Sequence, residues 1–172
     1  MASIWFCGQH GDAFVHAWPA HHVHSVSREA MPSSCPDLVV LSAPLADEQP
    51  LVQVTASQLQ QHWQHHGLSQ IAIAQTAIQR LLKRKIQGVH RGTVVFLASS
   101  LAQHAQPSQL LSASLQAGLR QVAQSLAREF APQGIHVVSV LAPVDAKPED
   151  IATLIWHLHQ QPPSVWTQEV NV

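Results

Sequence analysis

The side chains best able to support chemistry in this sequence are a serine pair after an apolar run and a large set of histidines. Ser99 and Ser100 follow the β-branched and aromatic run Thr93–Leu97, so the first hydroxyl stands where a buried strand ends. A serine there becomes a nucleophile only with a base beside it, and His104 or His136 are the candidates. No Gly-x-Ser-x-Gly sequence surrounds Ser99, which speaks against a hydrolytic site.

Histidine is unusually frequent, with 13 in 172 residues, and two pairs have spacings that suit a metal ion. His22 and His24 share one face of a predicted strand, and His62 and His66 stand one helical turn apart. No Cys, Asp or Glu stands at a matching spacing to complete either set. We therefore expect no metal site and interpret the histidines as surface residues or hydrogen-bonded core residues.

A candidate phosphate-binding turn follows the first apolar run, Ser3–Cys7. Gly8 and Gly11 lie three residues apart there, whereas a dinucleotide-binding turn uses three glycines. Pro19 limits any helix behind these glycines to about two turns. A plain glycine turn is the favoured interpretation, and a cofactor turn is the alternative.

An alternation of buried strands and amphipathic helices must position these residues. Gly92–Leu141 forms one βαβ unit, because two apolar strands flank a helix whose apolar residues recur at steps of three and four. Those residues are Leu111, Leu115, Leu119, Val122 and Leu126. The other predicted strands are Ser3–Cys7, His22–Val26, Asp37–Leu41 and Trp166–Val172, and the other predicted helices are Ser57–Lys85, kinked near Gly67, and Pro148–Gln160.

This order of elements predicts one domain over residues 1–172. Its class is α/β, with a doubly wound, Rossmann-like and mostly parallel sheet in a reduced version. The net charge of −1 and a charged fraction of only 11% indicate neither a nucleic-acid surface nor an acidic tail. Cys7 and Cys35 are too few for a disulfide framework, and no apolar run has membrane-spanning length. We expect a cytoplasmic protein with free thiols and no nucleic-acid or membrane partner.

Several segments resemble the second half of a short-chain dehydrogenase/reductase. They are Ile71–Ala77, the strand that begins Gly92–Val95 and ends in Ala98–Ser100, and the helical run Ser114–Glu129. The similarity extends from about Pro36 to the C-terminus and is weak over the first 35 residues. The resemblance implies a Rossmann-like fold and an NAD(P)-dependent oxidoreductase acting on a carbonyl substrate.

The resemblance also assigns catalytic positions. Members of the family carry a serine after this strand, a tyrosine thirteen residues later and a lysine four residues further on; here these are Ser99, Ser112 and Gln116. In the family the tyrosine exchanges a proton with the carbonyl, and the lysine lowers its pKa and holds the nicotinamide ribose. An aliphatic hydroxyl is a far weaker acid than a phenol, and an amide brings no positive charge. The chain has no tyrosine, and no lysine lies between Lys85 and Lys147, so no shift of register restores the motif.

Other family motifs are altered as well. The Asn-Asn-Ala-Gly motif after the fourth strand of the family appears here as residues 41–44, Leu-Ser-Ala-Pro, and the asparagine of the following helix aligns with His66. The Pro-Gly motif appears as residues 142–143, Ala-Pro, before a substrate loop cut to residues 144–147. If a cofactor binds at all, we expect NAD(P) to contact Gly8, Gly11, Ser42 and Ala43.

The favoured hypothesis is therefore a pseudoenzyme: a family member that has lost its redox chemistry, binds no cofactor, and acts as a dimeric scaffold or partner-binding subunit. As the resemblance implies, the helices at about residues 70–85 and 112–130 would pair with their two-fold mates in a homodimer. In a variant of this hypothesis, the chain forms a mixed oligomer with an active relative. The small residues expected to permit close helix approach are Ala113, Ala117, Gly118 and Ala123.

Two alternatives from other functional classes stay open. One is an NAD(P)-dependent oxidoreductase with a proton relay through Ser99, Ser112 or water. The other is a non-redox protein that binds a small ligand in the crevice at the carboxyl ends of the strands, near Gly8, Ser42 and Ser99.

Overall fold

Six strands form one sheet in the computed structural model, which describes residues 1–8, 11–86 and 90–172. In chain order the strands are β1 (Ser3–Cys7), β2 (His22–Ser25), β3 (Leu38–Ser42), β4 (Gly92–Ser99), β5 (Ile135–Ala142) and β6 (Glu169–Asn171). Side by side they run β2-β1-β3-β4-β5-β6, and each neighbouring pair is parallel. The predicted doubly wound, Rossmann-like fold is confirmed, with parallel pairing at every one of these strands.

The helices agree with the predicted segments and add one more. They are α1 (Gly11–Ala17), α2 (Ala56–His62), α3 (Leu68–Lys83), α4 (Leu110–Phe130) and α5 (Pro148–His159). A π-helical turn at Trp63–Gly67 joins α2 to α3, which is the kink expected near Gly67. Thr55 and Gln58 form a reciprocal capping box that begins α2. The predicted order left out α1, because its seven residues are too few to show a helical period.

The helices cover both faces of the sheet, and this explains why the strands are apolar on both sides. From β3, Val39 and Leu41 pack in one core with residues of α3 and α4. Leu38 and Val40 pack in a second core with residues of α1 and α5. Successive side chains of a strand point to opposite faces, so a strand between two helical layers must be apolar at nearly every position.

The strand order reverses between β1 and β3, because the chain passes from β1 to β2 on one side and then to β3 on the other. In open α/β sheets, ligands bind outside the carboxyl ends of the strands at such a switch point. The usual doubly wound order, 3-2-1-4-5-6, places a further strand beyond the second one. Within the described residues no strand lies outside β2, so this half of the fold is reduced.

The last strand is shorter than the predicted Trp166–Val172, because the residues before it are committed to a loop. The indole Nε1 of Trp166 donates to Gln161 O at 2.9 Å, and the backbone N–H of Thr167 donates to Gln161 Oε1 at 3.0 Å. Only Glu169–Asn171 then pairs with β5. Of the helices in the described ranges, none combines the length and the apolar character needed to cross a membrane.

Candidate functional site

A cavity of about 200 Å³ opens at the carboxyl ends of β3, β4 and β5. Its polar lining consists of Ser42, Ser99 and Gln116, and the remaining wall is apolar from Phe14 on α1 to Ile151 on α5. None of the lining residues that the structure describes carries a titratable side chain. The cavity therefore offers hydroxyl and amide groups to a ligand, but no group that changes its charge near neutral pH.

Ser99 lines this cavity at the end of β4, where the sequence analysis predicted it, and its hydroxyl is hydrogen bonded to the backbone. Ser99 Oγ accepts a hydrogen bond from the N–H of Leu101 at 3.3 Å and caps the short 3-10 turn Ser100–Ala102. The residue is only 8% exposed. Ser99 is thus the last residue of β4, and its side chain also caps the 3-10 turn that follows the strand.

Ser112, at the position of the family tyrosine, is directed away from the cavity lining. The backbone N–H of Ala46 donates to Ser112 Oγ at 2.8 Å, and the residue is 1% exposed. This bond joins the first turn of α4 to the loop that follows β3. The hydroxyl therefore holds a loop in place across 66 residues of sequence.

Gln116, at the position of the family lysine, connects the ends of two strands. Its Oε1 accepts from the backbone N–H of Ser99 at 3.2 Å, and its Nε2 donates to the carbonyl of Ala43 at 3.2 Å. One partner is a donor and the other an acceptor, so the two bonds fix the orientation of the amide. A lysine ammonium has donors only and would leave the N–H of Ser99 without a partner. Glutamine is the residue that satisfies both backbone groups at this buried position, which is 1% exposed.

The glycine turn after β1 lies only partly within the described residues, since Gln9 and His10 fall outside them. Gly8 has φ +147°, and a Cβ on it would lie 2.4 Å from the carbonyl oxygen of Ser42. Glycine is required there because β1 and β3 approach each other closely, whether or not a ligand binds. Gly11 is the first residue of α1, while Ser42 and Ala43 line the cavity.

Trp63, which the sequence did not single out, occupies a notch made by two glycines. A Cβ on Gly118 would lie 2.3 Å from the indole Cη2 of Trp63, and one on Gly67 would lie 2.6 Å from its Cε3. Ala113 and Ala123, two other small residues expected to permit close helix approach, are buried in the chain itself. Of the four predicted small residues, Ala117 alone stays partly exposed without such a role.

The proposed hydrolytic pairs with Ser99 are not formed. His136 pairs in register with Thr93, at the opposite end of β4 from Ser99, and its Nε2 donates to Thr167 O at 2.8 Å. His104 is exposed on the turn beyond Ser100–Ala102. Neither imidazole is hydrogen bonded to the Ser99 hydroxyl in the part of the chain that is described.

A second group of titratable residues surrounds a cavity of about 320 Å³ at the amino ends of β3 and β4. His159 donates to or accepts from Thr93 Oγ1 at 2.9 Å, and burial, followed by the nearby His90, lowers the pKa of His159 to about 4. The ring of His136 stacks on Trp166 with centroids 4.9 Å apart, and burial lowers the pKa of His136 too. Sequence reasoning missed this cluster, since its members are far apart in the chain and only the parallel register brings them together.

The architecture is that of the nucleotide-binding α/β proteins, and comparison with known proteins identifies the family. The sequence model of a family described as enoyl-(acyl carrier protein) reductase matches residues 22–160. Solved structures with the same fold are short-chain dehydrogenases. The chain therefore belongs to the short-chain dehydrogenase/reductase family. None of the curated proteins with which the sequence was compared matches it.

Three solved structures illustrate the likeness. A short-chain dehydrogenase from Rhodopseudomonas palustris has 19% identity and a TM-score of 0.79, with 99% of this chain and 97% of that chain covered. Serine dehydrogenase from Escherichia coli has 11% identity and a TM-score of 0.82, covering 99% and 96%. An oxidoreductase of the family from Brucella ovis, in complex with a partially ordered NAD, has 15% identity and a TM-score of 0.76, covering 99% of both chains. At these identities the likeness concerns the fold.

Proposed function

We propose that this chain is a family member without redox chemistry, a pseudoenzyme that serves as a dimeric scaffold or partner-binding subunit. The observation that carries the proposal is the use of Ser99, Ser112 and Gln116. Each side chain accepts a backbone hydrogen bond, and none brings an acid, a base or a cation to the cavity. Proton exchange with a carbonyl substrate requires such a group.

The residues present do not fit NAD(P) in the manner that the family resemblance implies. The position that would hold the nicotinamide ribose is an amide whose oxygen and nitrogen are both engaged by backbone. The cavity of about 200 Å³ is below the roughly 300–1,000 Å³ of ordinary ligand pockets. Since no strand lies beyond β2 within the described residues, part of the surface on the other side of the switch point is lacking there. These features together support a protein that works without the cofactor.

Equilibrium titration with NADH and with NADPH tests this part of the proposal. We expect no saturable change in nucleotide fluorescence at micromolar protein and no turnover of a panel of aldehydes and ketones. Micromolar binding together with turnover would overturn it and favour an oxidoreductase with an unusual proton relay. In that case Ser99→Ala should abolish turnover, while Ser114→Ala, a half-exposed hydroxyl on α4, should leave it unchanged.

The dimer is supported by the outer surfaces of α3 and α4. The first twelve residues of α3, Leu68–Gln79, carry no charge, and Arg120 is the one charged residue of Leu110–Ala127. Arg120 is turned to Glu169 on β6. Within these two ranges the exposed positions are instead leucine, glutamine or serine, which a second copy can cover without desolvating a charge. Closed two-fold dimers are the commonest assemblies that use such a face twice.

Native mass spectrometry tests the dimer at micromolar protein. Gln75→Glu combined with Gln121→Glu places new carboxylates on the exposed faces of α3 and α4 and should convert the dimer to a monomer. Gln60→Glu, an exposed position on α2, is the matched control and should stay dimeric. A monomeric unsubstituted chain would contradict the homodimer, and a second chain of different mass in material from the source cell would indicate the mixed oligomer.

The non-redox ligand site is the second candidate, and the apolar cavity with two serines at its rim is the observation that favours it. A molecule of few heavy atoms, with one hydroxyl or carbonyl group, would suit this size and lining. Mass spectrometry of the intact protein under native conditions, followed by denaturation, would detect such a molecule as a mass lost on unfolding. Ala98→Leu, which fills the cavity wall, should reduce that mass signal.

A further inference from the structure

The imidazoles of His62 and His66 lie against each other beside the π-helical turn. Their ring centroids are 5.0 Å apart, with an interplanar angle of 64°. Two imidazoles on one zinc ion, with Zn–N bonds of about 2.0–2.1 Å and tetrahedral angles, hold their centroids roughly 5 Å apart. The two rings therefore already have the separation that a shared ion would impose on them.

Among the described residues, no hydrogen bond involves a ring nitrogen of His62 or His66. Nε2 of His62 is buried and has no hydrogen-bond partner among the described residues. Buried polar atoms without partners are rare in folded proteins because they lose their hydration and gain nothing in return. A metal ion would supply the missing partner.

Burial also favours the neutral form of both imidazoles, which is the form that can bind a metal. Burial, and then the neighbouring His66, lowers the pKa of His62; burial, and then His65, lowers the pKa of His66. The neutral ring is the form that carries a free lone pair, and it predominates at pH 7 when the pKa is depressed.

The neighbouring His65 does not complete a three-residue site in its present position. Its Nδ1 bonds to Gln61 O at 2.9 Å, and its ring centroid is 6.4 Å from that of His66. Over residues 1–8, 11–86 and 90–172, no group of three or more His, Cys, Asp or Glu is placed to hold a metal. The site would therefore have two protein ligands, with its other coordination positions open to water or to a group from another molecule.

The other close imidazole pair differs in its hydrogen bonds, although Nδ1 of His90 is also buried and has no partner among the described residues. His90 and His159 have centroids 5.1 Å apart, but His90 Nε2 bonds to His159 O at 2.6 Å and His159 Nδ1 bonds to Thr93 Oγ1 at 2.9 Å. In that pair, one nitrogen of each ring is therefore engaged in a hydrogen bond that stabilises the fold. Spacing and one unpartnered nitrogen thus do not by themselves select a metal site. His62 and His66 differ from this pair in that neither ring is held by a hydrogen bond among the described residues.

We propose that His62 and His66 bind one divalent transition-metal ion of the zinc, nickel or copper class, whose preferred ligands include imidazole. The ion would connect the end of α2 to the π-helical turn Trp63–Gly67. That turn holds Trp63 in the notch made by Gly67 and Gly118. Metal binding would thereby stabilise the packing of Trp63 against α4.

Calorimetric titration of the metal-free protein with zinc chloride tests the proposal, with magnesium chloride as the reference cation. We expect one zinc per chain, no magnesium binding, and a higher melting temperature with zinc. His62→Gln and His66→Gln should each weaken zinc binding by at least about tenfold, since even loss of a group that merely orients a ligand costs about 10–100-fold. His24→Gln, on the edge strand β2, is the control and should bind zinc as the unsubstituted chain does.

Circular dichroism of each variant shows whether the fold is kept, and the two variants are independent should one of them unfold. A second readout is pH, because zinc binding should weaken in acid, where protons compete with the ion for the imidazole nitrogens. Absence of stoichiometric zinc binding would overturn the proposal. So would binding that is unchanged in both variants, or equally reduced by His24→Gln.

Discussion

The two ends of the sheet use opposite chemistry to hold the same fold together. At the carboxyl ends of β3 and β4, neutral hydroxyl and amide groups bind backbone atoms, with Gln116 connecting Ser99 to Ala43. At the amino ends, two imidazoles, the indole of Trp156 and the Arg84–Asp37 ion pair surround a larger cavity. The cavity at the carboxyl ends is lined by neutral groups, whereas the lining of the cavity at the amino ends carries titratable ones.

The amino-end groups are fastened to the C-terminal segment of the chain. His136 stacks on Trp166 at an interplanar angle of 3° and donates to Thr167 O at 2.8 Å. Thr93 on β4 bonds to His159 at the end of α5. These contacts depend on neutral imidazoles, because a protonated ring in the same place would be a poorly solvated charge. The comparison therefore separates a cavity without titratable side chains from a pH-sensitive cavity at the other end of the sheet.

The largest effect is expected at the carboxyl end, from Gln116→Leu. The substitution leaves the N–H of Ser99 and the carbonyl of Ala43 buried without partners, and each such group costs about 1–3 kcal/mol. We expect the free energy of unfolding to fall by about 2–4 kcal/mol in urea denaturation, with equal losses at pH 5 and pH 7.5. The control is Gln60→Leu, an exposed position on α2 outside the proposed dimer face, which should change it by no more than about 0.5 kcal/mol. Comparable results for the two variants would mean that Gln116 is not a structural connection.

The sequence predicted the strands and α4 because their signals are local. Apolar runs mark β3, β4 and β5, and a period of three to four residues marks α4. The role of Gln116 was not predictable in this way, since its two partners are separated from it by 17 and 73 residues and are backbone atoms. The resemblance located the position, but only the packed structure indicates why glutamine stands there.

The same limit explains the residues that were missed. Trp63 looks like an ordinary aromatic residue of a helix until Gly67 and Gly118 are seen to accommodate it. His136 and Trp166 are 30 residues apart in the chain. They meet because the loop that contains Trp166 packs against β5, which carries His136. The π-helical turn itself was expected only as a kink at a glycine, because a π turn has no distinct period in so short a segment.

The second effect concerns acid at the amino end. The folded-state pKa of His159 is about 4, below the ordinary value of 6.5, so the unfolded chain binds the extra proton between these values. Stability from this group is complete above about pH 6.5 and is lost as the pH falls toward 4. We expect urea denaturation to give about 2 kcal/mol less stability at pH 5 than at pH 7.5 from this residue.

His159→Asn should remove most of that pH dependence, because asparagine keeps a partner for the Thr93 hydroxyl and does not titrate. His157→Asn, an exposed position two residues away on α5, is the matched control and should retain the full dependence. The groups whose charges act on His159 are His90, Asp37, His136 and His21. A His159→Asn protein that loses stability in acid as steeply as the unsubstituted chain would place the acid sensitivity elsewhere.

The smallest effect compares two ion pairs, one at each end. At the amino end, Arg84 Nη2 lies 2.6 Å from Asp37 Oδ1. Toward the carboxyl end, the guanidinium of Arg120 donates to both carboxylate oxygens of Glu169. Both pairs are partly exposed, so each contributes about 1 kcal/mol. Arg120→Gln should cost less than Arg84→Gln, because Gln124 and Gln103 continue to donate to Glu169.

After Arg84→Gln, by contrast, Asp37 keeps only the backbone N–H of Ser3 as a hydrogen-bond donor among the contacts described. Urea denaturation at low and high salt measures both variants, and salt should narrow the difference because it screens exposed charges. If Arg120→Gln proved the more costly, the neutral carboxyl end would depend on a charge after all. The ion pairs would then not distinguish the amino end from the carboxyl end, and the difference between the two ends would depend on the imidazoles alone.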